Sequence, residues 1–195
     1  MLLAKEFVAY LGRQIAARIS ANVIEIANRP AVGELMVGVI TDELMVEDQL
    51  NDEVRTLLEE YSVYMANNAI SYSEMFRRIK NQLVQQRKIV RASGRDTGDP
   101  MRLSRDKVNE ISHKLLTALK KSRECRIRRN ENDLRLEIVR VVSDILQNED
   151  KADKAARAKI RTLKREVQDG TEEWELLHKR YYADELKNLG IDLAH

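Results

Sequence analysis

The sequence predicts an all-α chain of two tandem helical modules, about four helices each, packed together as a pseudo-dimer. Three observations predict it: an aliphatic, highly charged composition, apolar stripes that recur at an offset near 100, and a polar Gly/Pro segment between the two sets. Of 195 residues, 43% are hydrophobic but only 5% aromatic, while 34% are charged. That is the composition of amphipathic helices with aliphatic stripes and ion-paired outer faces. Seven glycines and two prolines are too few for the many turns a sheet-rich fold requires.

The elements follow from apolar spacing, three or four residues marking one face of a helix. Val8, Leu11, Ile15 and Ile19 predict a helix over 4–27, with Val23, Ile24 and Ile26 prolonging its stripe. Val32, Met36, Val39, Ile40 and Leu44 predict one over 31–46, and Leu50, Val54, Leu58, Tyr61 and Met65 one over 50–66. Tyr72, Met75, Phe76, Ile79 and Leu83 predict the fourth, 72–88, opened by Ser71 and Glu74 in the arrangement of a capping box.

The stripes then repeat. Val108, Ile111, Leu115 and Leu119 match the first helix at offset 100 and predict 104–124. At offset 102, Leu134, Ile138, Val141, Val142 and Leu146 predict 132–147, while Ala152, Ala156, Ile160, Leu163 and Val167 predict 151–168. Trp174, Leu177, His178, Tyr181 and Glu185 close the set at 172–189. The acidic step Glu47, Asp48 returns as Glu149, Asp150, and Asn67, Asn68 return as Asp169, Gly170, residue types that tolerate positive φ at a helix end. The modules are therefore expected at 1–90 and 101–191, joined by a linker over the polar segment 91–100.

A single cysteine, Cys125, excludes an internal disulfide, and the N-terminus shows no basic stretch followed by an apolar core. A cytoplasmic address is the expectation. The most apolar run, 31–46, contains Glu34, Asp42 and Glu43 and is shorter than the roughly 18–20 residues of a membrane span. No membrane partner is expected.

The stretches 46–55 (VEDQLNDEVR), 70–80 (ISYSEMFRRIK), 87–90 (RKIV) and 101–108 (MRLSRDKV) resemble the bacterial domain-of-unknown-function family numbered 507. The resemblance covers nearly the whole chain apart from the linker and tail, apparently as two diverged copies of a small helical module. It implies a role that is biochemically unassigned. Leu50 and Val54 become Ala152 and Ala156 in the second copy, so the copies are not expected to function alike.

Candidate chemistry is sparse. Glu110 with His113 and Glu175 with His178 have the Glu-x-x-His spacing of di-metal helical bundles, but the first pair points away from the apolar stripe and His178 replaces Phe76 as a packing residue. Cys125 lies among arginines that could favour a thiolate, yet no base or orienting group accompanies it. No catalytic, metal or cofactor residues are assigned. The basic run Lys120, Lys121, Arg123, Arg126, Arg128 and Arg129 is the candidate nucleic-acid contact. Residues 1–100 hold 12 basic against 14 acidic groups and the remainder 22 against 18, so the modules differ in sign. The leading expectation is a non-enzymatic adaptor or assembly protein with a protein partner, able to oligomerise. An RNA- or DNA-associated protein and a metal-dependent enzyme are the alternatives.

Overall fold

Helix starts fall where a short polar side chain can reach back to the first unpaired amides. Asn28, Ser71, Ser104, Asn130 and Thr171 each accept a hydrogen bond from the amide three residues on, at 2.8–3.3 Å. The computed structural model describes residues 2–94, 98, 101–163 and 167–191. Those residues form α1 (Lys5–Arg18), β1 (Ile24–Ile26), α2 (Arg29–Glu60), α3 (Ser62–Asn67), α4 (Tyr72–Arg87), α5 (Arg105–Lys121), β2 (Cys125–Ile127), α6 (Glu131–Arg161) and α7 (Glu172–Asn188). The fold is all-α apart from one two-stranded ribbon.

Several predicted boundaries are corrected. The first helix ends at Arg18 rather than 27, because the β-branched stretch Val23, Ile24, Ile26 favours extended backbone and pairs with Cys125–Ile127. Its counterpart ends at Lys121 rather than 124 for the same reason. The helices predicted over 31–46 and 50–66 are one rod, α2, followed after Tyr61 by short α3. Those predicted over 132–147 and 151–168 likewise fuse into α6, which ends at Arg161; residues 164–166 of the second lie outside the described residues. Neither acidic step contains a Gly or Pro, and charged residues alone do not interrupt a helix. Of the two predicted left-handed turns, Gly170 adopts φ 83°, but in the first Ala69 rather than Asn68 does so, at φ 52°. Asn68 instead donates its side-chain amide to Tyr64 O at 2.9 Å.

The ribbon ties the halves together. Glu25 lies opposite Arg126, Ile24 opposite Ile127, and Ile26 opposite Cys125. Ala27 N donates to Glu124 O at 2.8 Å and Arg128 N to Val23 O at 2.9 Å. Moving β1 onto β2 by 101 positions, and β2 back onto β1, reproduces every one of these pairs. Beyond the ribbon, α1 packs against α6 and α2 against α5, again an exchange of equivalent elements.

One hydrophobic core runs through both halves, drawing on α1, β1, the first half of α2, α5 and α6, with Ala92, Met101, Leu103, Leu186 and Ile191. Of the predicted linker, residues 95–97, 99 and 100 lie outside the described residues; at its start Ser93 bridges Leu103, with Gly94 N donating to Arg102 O and Ser104 N to Ala92 O, both at 2.9 Å. A Cβ on Gly94 would lie 1.9 Å from Met101 O, so the close strand approach there requires glycine. A second, small cluster sits apart, where Val54, Leu58 and Met65 meet Met75, Phe76, Ile79 and Leu83 of α4. Among the described residues no helix is long and apolar enough to cross a membrane.

Candidate functional site

Where α2 crosses α5, the interior carries charge. Lys107 is 0% and Glu43 3% exposed. Lys107 Nζ donates to Glu43 Oε1, to Val90 O at 3.3 Å and to Glu110 Oε2 at 3.4 Å, while Lys114 Nζ donates to Glu43 Oε2. Burial pushes the Glu43 carboxyl up, but the hydrogen bonds from both lysines outweigh it and hold the group below its ordinary value. Glu110 moves the other way, raised chiefly by burial with Glu43 beside it. Among the described residues these groups bond to one another and to backbone, so the cluster joins the halves. Sequence reasoning missed it. The available signal was Glu43 inside the most apolar run of the chain.

A second polar system fixes α7 to α6. Glu149, 2% exposed, accepts from Tyr182 Oη and from Arg102, both at 2.7 Å. Burial first, then the charge of Glu149, raises the Tyr182 phenol far above its ordinary value. Asp153 bonds His178 at 2.8 Å and Arg157 at 2.7 Å, and these partners outweigh burial to hold it below the usual carboxylate range. Trp174, His178 and Tyr182 stack in sequence at 4.8 and 5.7 Å, with Arg157 5.1 Å over the Trp174 ring.

Open surfaces among the described residues include an apolar tip and a groove. At the far end of α2, Tyr61, Val63, Tyr64 and Tyr72 are exposed, Val63 by 70%, and α4 buries none of its residues. Between α5 and α6 lies a groove of about 600 Å³, with Met101, Val108 and Val139 on its floor and Arg105, Asp150, Lys151 and Lys154 at its rim. In the first half the same crossing is closed. Gly12 lies so near α2 that a Cβ would stand 2.9 Å from Val37 N and 3.1 Å from Gly33 O. The matched residues of the second half are Ser112 and Arg135; Ser112 Oγ donates to Asn109 O within α5, and Val139, the match of Val37, faces the groove.

The residues singled out in the sequence are placed as follows. Lys120, Lys121, Arg123, Arg126, Arg128 and Arg129 are all exposed. They are not one helix end, however: Lys120 and Lys121 close α5, Arg126 lies in β2 and Arg128 just after it. Lys120 pairs with Glu131 at 2.6 Å and Arg128 with Glu25 at 3.0 Å. His113 is exposed, whereas Glu110 turns into the buried ion cluster rather than to water. Glu175 is exposed and His178 is engaged by Asp153. Among the described residues no group of three or more His, Cys, Asp and Glu is placed to hold a metal ion. Cys125 is a half-buried free thiol that donates to Leu119 O at 3.4 Å, and burial pushes its pKa up.

No curated protein matches the sequence. The family model described as "Protein of unknown function (DUF507)" matches residues 1–191, a span that takes in both halves, and the chain belongs to that family.

Proposed function

We propose that the chain is a non-enzymatic interaction protein of the cytoplasm, an adaptor or assembly subunit that binds a protein partner through exposed helical surface. The observation that carries this reading is the apolar tip at α3. Tyr61, Val63, Tyr64 and Tyr72 stand exposed beside an α4 whose apolar residues are only half-buried, and tyrosines gathered on an uncovered apolar surface are characteristic of interface anchors. Retention of partners from the source cells by the wild-type chain and by a Tyr61→Ser, Val63→Ser, Tyr64→Ser variant tests it. A partner held in stoichiometric amount by the first and lost by the second is expected; equal retention by a variant of unchanged helicity overturns the tip as the interface.

We further infer that the family unit is itself an internal duplication, two diverged copies paired as a pseudo-dimer. The exchange of ribbon hydrogen bonds at an offset of 101, and the reciprocal packing of α1 on α6 and α2 on α5, support it. The nucleic-acid reading retains one favourable observation, that all six basic side chains reach solvent. Duplex binding whose salt dependence vanishes on changing Arg123, Arg126 and Arg129 to Glu supports that reading, and unchanged binding removes it.

A further inference from the structure

We propose that β2 accepts an acidic, extended segment of a partner protein as a third strand of the ribbon. The inference rests on the interaction reading but not on the α3 tip. The ribbon precedes α2 and the tip follows it, so 32 residues of helix, about 48 Å at ~1.5 Å per residue, lie between the two.

The backbone comes first. In an antiparallel pair, residues that exchange hydrogen bonds alternate with residues whose N–H and C=O point away from the partner strand. Ala27 with Glu124 and Val23 with Arg128 are bonded pairs. The register then makes Glu25 with Arg126 a bonded pair as well, and turns the backbone groups of Ile24, Ile26, Cys125 and Ile127 outward. On β1 part of this edge is used: Val23 N and Ile24 N both donate to Ser20 O, at 2.9 and 3.2 Å, and Ile24 is buried. On β2 the outward amides and carbonyls of Cys125 and Ile127 meet no hydrogen-bond partner among the described residues. Both residues are half-buried, with Arg126 exposed between them. Donors and acceptors in such a row are what another polypeptide strand completes.

Charge narrows the occupant. Glu25 stands opposite Arg126 in the ladder but is taken up by Arg128 at 3.0 Å. Arg123, Arg126 and Arg129 are exposed and have no carboxylate partner among the described residues, against one exposed carboxylate in the same stretch, Glu124. Beside Ile127 an open depression of about 420 Å³ is lined by Glu25, Arg126 and Arg128, a polar surface that suits an extended chain rather than the apolar face of a helix. A strand bearing carboxylates meets both the open ladder and the cationic excess. Nucleic acid meets only the second, because phosphodiester links supply no donors for the carbonyls of Cys125 and Ile127.

The test uses the full chain and peptides of about eight residues, ~26 Å long when extended. One alternates valine with glutamate, and a second replaces each glutamate by lysine. A third is the acidic peptide with its amides N-methylated, which keeps the charge but removes the backbone donors; a short DNA duplex is the fourth probe. The expected result is binding of the acidic peptide, with the lysine and N-methylated peptides weaker by about ten-fold or more, and slowed amide exchange at Cys125 and Ile127. Changing Arg123, Arg126 and Arg129 to Gln should weaken the acidic peptide by about ten-fold. Should that variant lose helicity, the contrast between the acidic and N-methylated peptides on the wild-type chain decides. The Tyr61→Ser, Val63→Ser, Tyr64→Ser variant should bind the acidic peptide like wild type. A cellular partner retained through the tip with no peptide bound at the ribbon therefore sinks this inference and leaves the interaction reading standing. Equal binding of the acidic and N-methylated peptides, tighter binding of the duplex, exchange protection confined to other residues, absence of peptide binding up to about 1 mM, or self-association of the chain through β2 overturns the proposal.

Discussion

Each half runs helix, strand, long helix and closing helix, with α3 added in the first, but the halves hold these elements by different means. In the first, α1 and α2 close on each other at Gly12 and Gly33, and the outer end of α2 meets α4 through a small apolar cluster separate from the main core. In the second, α5 and α6 leave a groove, and α7 is fixed by Glu149, Asp153 and a ladder of three rings. The cross-contacts differ similarly: Glu43 and Lys107 form a buried ion pair, while the positions matched to them are Ile145 and Phe7, both buried and apolar. One backbone plan thus tolerates opposite chemistry at equivalent points, provided that each polar group removed from water finds a partner.

The largest expected effect tests that last contrast. Glu43→Ala leaves the buried Lys107 with only Val90 O and the more distant Glu110, and breaking such a pair costs about 3–5 kcal/mol. Combining Glu43→Ile with Lys107→Phe, the residues of the matched positions, should recover most of the loss in urea denaturation; a double variant no better than the single breaks the equivalence. The pH dependence follows from the same site. Because Glu43 and Asp153 are held below their ordinary values, their contribution is complete above the usual carboxylate range. It is lost as pH falls through their folded values, since the unfolded chain binds the protons first. Denaturation midpoints should therefore drop on acidification, and less so in the Glu43→Ile, Lys107→Phe variant.

Gly12→Ala places a Cβ 2.9 Å from a backbone nitrogen, and overpacking of this kind costs about 1–3 kcal/mol. Ser112→Gly, its mirror in the second half, should cost no more than about 1 kcal/mol, the ordinary cost of glycine within a helix; equal effects would show that the two crossings are alike. Tyr182→Phe removes one donor from a buried carboxylate that keeps Arg102, so thermal denaturation should register about 1–2 kcal/mol. Smallest is Arg87→Ala. Its paired contacts to Glu53, at 2.6 and 2.7 Å, lie at the surface, where solvent screens the pair and urea denaturation should register little change.

Most of the helical plan was legible because aliphatic stripes at three- and four-residue spacing encode which face is buried. Val8, Leu11 and Ile15, or Ile138, Val142 and Leu146, are buried as that spacing predicts. The ribbon was not, although Ile24-Glu25-Ile26 alternates as a strand does. Three residues are compatible with either period, and only the partner strand 101 positions away decides between them. The helices predicted on either side of each acidic step are fused, because nothing in the step withholds a backbone amide. The groove was not legible because no motif marks it; it depends on how α5 and α6 pack around Val108 and Val139. Lys107 was passed over because lysine is ordinarily outside, and its burial depends on a carboxylate 64 positions earlier.

The ribbon also bears on how the chain is made. Ile24–Ile26 emerges from the ribosome about 100 residues ahead of Cys125–Ile127, which at ~5–20 residues per second is a wait of about 5–20 s. For that interval the nascent segment offers an unsatisfied edge flanked by isoleucines, a template for the wrong neighbour. Glu25, placed at its centre, supplies a charge that discourages adventitious pairing until Arg126 arrives to meet it.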